Sequence, residues 1–308
     1  MGDYKKNQIE NSPSNVGLLY VIMIASSLIL SVSCGFITQP LAKTNGFLYY
    51  LINGLSSSIS LFAVLSVYFN FVKKCTPFKR LFSLNKTNPL NYVIAFLIAG
   101  GMMFGLGFIN GLFADLFNIP APETTITDFV HGNALAYVLS VIVFALLPAV
   151  FEECFFRGAI ANAIDNEKIV PATITVALIF ALYHFSFTQL IYQAIYGAIL
   201  YLLVKKGGSI FPCMIAHFLN NFTILTLEFI GVEINLYSPW CICFGILSLA
   251  ISIALLFIVN GKKNSEKVST EKDSKKDTKG EKQGLKFWVP YGILGALVCI
   301  AVAILGVI

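Results

Sequence analysis

Three short stretches of this chain set ionisable and amide side chains among apolar neighbours. They are Glu152-Glu153-Cys154-Phe155-Phe156-Arg157, Phe180 to His184, and His217 to Asn221. The whole chain has three histidines, and two of them fall in these stretches. Ionisable groups within apolar spans are costly and usually face a polar interior, which makes each a functional candidate. On a helix, residues four apart share a face and neighbours point about 100° apart. Glu153 and Arg157 are therefore placed to pair, which offsets the cost of holding either charge there. Glu152 turns elsewhere and is left available. The same spacing sets His217 beside Asn221, and Phe180 beside His184.

The chemistry open to such a set is peptide-bond hydrolysis. A carboxylate in a semi-dry site can deprotonate a water, and a histidine can hold or co-activate that water. A second imidazole and an amide can donate to the oxyanion of a tetrahedral intermediate, worth roughly 3–4 kcal/mol per well-placed donor. Neither a GxSxG nucleophile elbow nor an HExxH zinc helix is present. Glu152, His184 and His217 also form a candidate His2Glu zinc set with an open fourth position, so zinc is the one cofactor the residues admit. Both uses stay open at this level. Each stretch alone is more often packing than chemistry; their ordered occurrence on three separate spans carries the reading.

The elements that must position these residues are membrane helices. The 308 residues are 57% apolar and 12% charged, against about 25% charged in soluble domains. Apolar runs of about 20 residues are long enough to cross a bilayer. Spans are expected near 17–38, 47–72, 90–113, 133–151, 169–187, 189–204, 209–230, 238–260 and 287–308. The fold class is thus all-α, a polytopic helical bundle of about 8–9 transmembrane helices around an intramembrane cavity. Drawn this way, Glu152, Glu153 and Arg157 follow the fourth span, and His184 lies at the outer end of the fifth, deeper than Glu152 and His217. A fifth helix that begins before the membrane, at Pro171, would remove that mismatch. Basic residues precede the first span (Lys5, Lys6) and separate the second and third (Lys73, Lys74, Lys79, Arg80, Lys86). They recur at Lys168, at Lys205 and Lys206, and in a Lys-rich tract. By the positive-inside rule the N-terminus is cytoplasmic and the protein is multi-pass in the cell membrane. Within the third span, Gly101/Gly105 and Gly107/Gly111 have the spacing that lets helix backbones approach closely.

The net charge of +5 does not point to nucleic acid. Between Gly261 and Phe287 lie nine lysines and five acids. That tract has almost no apolar residues and is expected to be a disordered cytoplasmic linker, with attraction to anionic lipid as the milder alternative. The seven cysteines are scattered, mostly within apolar runs, with no disulfide framework or CxxC metal spacing. The expected organisation is 1–89, N-terminal helices with a basic loop; 90–230, the core with the candidate site; 231–260, an additional span; 261–286, the linker; and 287–308, a last span.

The ordered set EECFFRG, FALYH and HFLNN resembles the CPBP intramembrane proteases, which include CAAX prenyl endopeptidases and bacteriocin-processing or immunity proteins. Their motifs EExxxR, FxxxH and HxxxN are matched by Glu152–Arg157, Phe180–His184 and His217–Asn221. The lead into the third motif, with Gly197, Gly207 and Ser209, is similar as well, and the resemblance covers roughly residues 90 to 230. It implies a membrane endopeptidase acting on a peptide or membrane-tethered protein. In that scheme Glu152 is the water-activating base assisted by His184. His217 and Asn221 form the oxyanion site, and Glu153, Arg157 and Phe180 support them. Both metal-dependent and glutamate mechanisms are argued for such proteins. The Lys-rich tract and the last span have no counterpart in the motif region. Two other classes compete: a non-catalytic scaffold or immunity protein that binds a peptide, sensor or transporter, and a transporter, for which no inverted repeat is visible.

Overall fold

The computed structural model describes residues 11–119, 126–164 and 168–272, with isolated positions between 293 and 301. Every regular element among the described residues is helical. The chain opens with two long helices, α1 (Pro13–Thr44) and α2 (Gly46–Val72). Asn45 joins them: its N–H donates to Leu41 O at 2.7 Å, and its side chain accepts from Leu48 N at 3.1 Å. After the short α3 (Phe78–Leu81) come α4 (Leu90–Leu106) and α5 (Phe108–Leu116). One long helix then runs through Ala134–Ala163, made of α6 (Ala134–Ser140), α7 (Leu147–Glu153) and α8 (Ala161–Ala163) with π-helical turns between them. It is followed by α9 (Ile169–Tyr183), α10 (Leu190–Gly207), α11 (Phe211–Ile230) and α12 (Pro239–Lys272).

Among the described residues, five helices are long and apolar enough to cross a membrane: 14–44, 46–72, 90–116, 134–163 and 239–261. The expected count of 8–9 is not reached among the described residues. The reason lies in the helices nearest the candidate site. Helix α9 is apolar but has only 15 residues, about 22 Å at 1.5 Å per residue. Helices α10 and α11 are long enough, but Gln193, Lys205, Lys206, His217, Asn220 and Asn221 dilute their apolar character. The last expected span, 287–308, lies almost wholly outside the described residues.

Three boundaries differ from expectation. The fourth span does not end at 151: its helix continues to Ala163, so Glu152, Glu153 and Arg157 are inside it. The fifth helix stops at Tyr183 rather than 187. Phe185 has φ +50°, a left-handed conformation that a bulky residue rarely adopts and that turns the chain out of the helix. The tract expected to be a linker from 261 is helical to Lys272, in keeping with the good helix propensity of its Lys and Glu residues. Its remainder lies outside the described residues.

The glycine pair at 101 and 105 seats α4 on α12. A Cβ on Gly105 would fall 2.7 Å from the carbonyl carbon of Gly245, and one on Gly245 would strike the backbone of Gly105. Gly107 and Gly111 instead face Leu236 and Tyr237, in the turn before α12. The far end of this helix pair is closed by reciprocal amide bonds between Asn91 and Asn260, at 2.9 and 3.2 Å.

The basic loops gather at one end of the bundle. Asn85 and Thr87, which flank Lys86 at the end of the Lys73–Lys86 loop, donate to Gly208 O and Gly207 O at 3.0 and 2.7 Å, directly after Lys205 and Lys206. The α1–α2 pair braces α9 through two contacts. Tyr20 donates to Ile179 O at 3.1 Å, and the Ser57 and Tyr183 hydroxyls are 2.7 Å apart.

Candidate active site

Asn133 starts the helix that carries the glutamates by accepting from Ala136 N at 3.1 Å. The helix is interrupted twice by π-helical turns, at Val141–Leu146 and Cys154–Ile160. Between them sits an α-helical segment, α7, Leu147–Glu153. A π turn inserts an extra residue into the i→i+4 ladder, re-aims the side chains that follow and recurs at functional sites. Glu152 and Glu153 thus close the regular segment, and Arg157 lies within the second π turn.

Glu153 and Arg157 form a fully buried ion pair, with Arg157 Nη1 2.9 Å from Glu153 Oε1. The guanidinium also donates from Nη2 to Gly197 O at 3.4 Å and lies 4.1 Å over the Phe180 ring. Gly197 makes this possible, since a Cβ there would meet Ala177 Cα and Phe180 Cδ1, each at 3.1 Å. Glu153 has a second task. The same Oε1 is 2.8 Å from His217 Nδ1, so Nδ1 carries a proton and Nε2 faces the other way.

His184 is oriented by its own helix end. Its Nδ1 lies 2.8 Å from Phe180 O. A carbonyl only accepts, so Nδ1–H is the donor and a neutral His184 presents its Nε2 lone pair. Phe180 therefore positions His184 through its carbonyl and Arg157 through its ring. The Nε2 atoms of His184 and His217 both face Glu152 Oε2, each at 4.0 Å. That oxygen is buried and has no hydrogen-bond partner among the described residues. The continuation of the fourth helix to Ala163 explains why His184 is not deeper than Glu152: Glu152 lies eleven residues inside that end, about 16 Å at 1.5 Å per residue.

Asn221 stands one turn beyond His217, but its bonds run away from the glutamates. Its Nδ2 donates to Phe144 O, in the first π turn, at 3.1 Å. Its Oδ1 accepts from Asn220 Nδ2 at 3.2 Å, and Tyr192 donates to Asn220 Oδ1 at 2.8 Å. The structure thus groups Glu152, Glu153, Arg157, Phe180, His184 and His217 closely, with Asn221 joined through α11. Sequence reasoning gave no role to Tyr192, Asn220 or Tyr196, whose ring is centred 6.0 Å from that of His217. The tyrosines at 192 and 196, four apart on an otherwise apolar helix, were a legible signal of a polar face.

A zinc ion bound at about 2.0–2.2 Å by two imidazoles and a carboxylate would hold its donor atoms within about 3.5 Å of one another. The two Nε2–Oε2 separations exceed that, and among the described residues no three His, Cys, Asp or Glu are grouped to hold a metal. As placed, the residues do not fit a metal.

Residues 133–223 match the family model for type II CAAX prenyl endopeptidase Rce1-like. The segment is similar to that family. The match begins at the cap Asn133, ends two residues past Asn221 and contains all seven candidate residues, while spanning just under a third of the chain. It agrees with the resemblance to CPBP proteases read from the three motifs, and it joins a CAAX-type intramembrane protease family to a multi-pass helical chain. No curated protein and no solved structure matches this sequence.

Proposed function

We propose that this protein is an intramembrane endopeptidase that cleaves a membrane-tethered protein or peptide by water activation on Glu152. The observation that carries the reading is the buried, unpartnered Glu152 Oε2 faced by two imidazole Nε2 atoms. At 4.0 Å these are too far apart for direct hydrogen bonds, and a water among them can bond to each. Such a water donates one hydrogen to Glu152 and the other to the His184 lone pair, which leaves its oxygen lone pairs for the scissile carbonyl. Glu152 takes the proton as the C–O bond forms and returns it to the leaving amine as the C–N bond breaks. His217 and Asn221 stabilise the oxyanion from the other side. To donate there His217 needs a hydrogen on Nε2 as well as the one on Nδ1 that faces Glu153 Oε1 at 2.8 Å.

The Rce1-like match supports the reaction class and a substrate held at the membrane. The gathering of the basic loops at one end supports a cytoplasmic N-terminus. The test is cleavage of a fluorogenic membrane-anchored peptide by purified protein in liposomes. Glu152→Gln and His184→Ala should each lower kcat by at least about 100-fold. Turnover by Glu152→Gln equal to that of the unmodified protein would refute the assignment and favour a non-catalytic binding role.

A further inference from the structure

We infer that Tyr192 and Asn220 are positioning residues that set the direction of the Asn221 amide. This rests on the reading of Asn221 as an oxyanion donor. The bonds run in a line from Tyr192 through Asn220 and Asn221 to the carbonyl of Phe144, and that carbonyl gives the line its sense. A backbone carbonyl only accepts, so the Asn221 atom 3.1 Å from Phe144 O must be Nδ2. Asn221 Oδ1 then faces Asn220 and requires a donor there, which makes that atom Asn220 Nδ2, at 3.2 Å. Asn220 Oδ1 in turn requires a donor, and the Tyr192 hydroxyl supplies it at 2.8 Å.

Each member thus has one allowed orientation, set from both ends. Tyr192 and Asn220 are buried, 5% exposed each, so water does not readily replace a lost link. The amide of Asn221 keeps its oxygen occupied and retains its second N–H to donate on the face it shares with His217. A reversed amide would present an oxygen to the oxyanion, and repulsion would replace a donated bond. The pathway uses the first π turn, where Phe144 lies.

The test is steady-state cleavage by variants of the full protein in liposomes. Tyr192→Phe removes only the hydroxyl, and we expect kcat to fall about tenfold with KM unchanged. In an Asn221→Ala background the same change should have no further effect on kcat. Asn220→Asp keeps the side-chain size but offers only acceptors, so Asn221 must turn its Nδ2 toward the carboxylate; kcat should fall about 100-fold while the melting temperature holds. An equal loss from Tyr192→Phe with and without Asn221, or a rise in KM alone, would overturn the inference. So would full activity of both single variants while Glu152→Gln is inactive, an outcome that leaves the hydrolytic reading intact. Full activity of Glu152→Gln instead removes the hydrolytic reading, and the positioning role with it.

Discussion

Glu153 Oε1 accepts from His217 Nδ1 at 2.8 Å while also holding Arg157 at 2.9 Å, so one carboxylate oxygen links three of the buried groups. This separates the two adjacent glutamates by task. Glu153 Oε1 is engaged by a cation and an imidazole, which fixes the His217 tautomer, while its Oε2 is buried without a hydrogen-bond partner among the described residues. The buried Oε2 of Glu152, one residue earlier, likewise has no hydrogen-bond partner among the described residues, but it stands 4.0 Å from the Nε2 atoms of both His184 and His217. That placement lets Glu152 share a water with both imidazoles, which is the geometry a base needs to exchange a proton with substrate.

The two glutamates should therefore differ in what they do for stability. Removing one member of a buried pair leaves the other charge unpaired and typically costs about 3–5 kcal/mol. Arg157→Ala and Glu153→Gln should both lower the melting temperature in detergent and reduce folded yield. Glu152→Gln should leave the melting temperature unchanged or raise it while removing activity. A melting temperature for Glu152→Gln as low as that for Arg157→Ala would contradict this division.

Much of that division was legible in the sequence, because four-residue spacing alone pairs Glu153 with Arg157. The link to His217 was not, since it joins residues 64 apart in the chain and no local pattern encodes it. The end of the fourth span was misplaced for a related reason. Hydropathy counts Glu152, Glu153 and Arg157 as barriers, whereas ion pairing lets the helix carry them onward to Ala163. The two π turns left no trace in residue type, because they are differences of hydrogen-bond register within ordinary apolar sequence. The expected offset in depth between His184 and Glu152 has the same source as the misplaced end of the fourth span, since a helix that runs on to Ala163 sets Glu152 eleven residues inside its end. Tyr192 and Asn220 act through a chain of bonds whose direction is set by the carbonyl of Phe144, which carries no side-chain signal.

Gly197 should act on the site through packing. Its Cα lies where a Cβ would press on Ala177 Cα and Phe180 Cδ1 at 3.1 Å, and its carbonyl accepts from Arg157. Gly197→Ala has to move α9 or α10 by a few tenths of an ångström, and overpacking of this kind costs about 1–3 kcal/mol. Since Phe180 holds His184 through its carbonyl, kcat should fall together with the melting temperature. Gly208→Ala is the control: no atom would crowd a Cβ there, although its φ of +72° costs some stability. That change should lower the melting temperature and leave kcat alone. Loss of kcat in both variants to the same degree would trace the effect to general destabilisation.

Metal dependence gives the sharpest test of how the water is activated. The Nε2 atoms of His184 and His217 stand 4.0 Å from Glu152 Oε2, too far for three donors on one zinc ion and suitable for a bridging water. His184 donates through Nδ1 to Phe180 O and His217 through Nδ1 to Glu153, so neither ring can close that distance without giving up or distorting a bond. Dialysis against a strong chelator should leave kcat within about twofold, and elemental analysis of active protein should find zinc well below one per chain. Stoichiometric zinc that disappears in His184→Ala, with activity restored to the chelated protein by zinc alone, would require the two imidazoles and Glu152 to draw together. The hydrolytic role would then pass to a metal-bound water, with Glu152 as ligand rather than base.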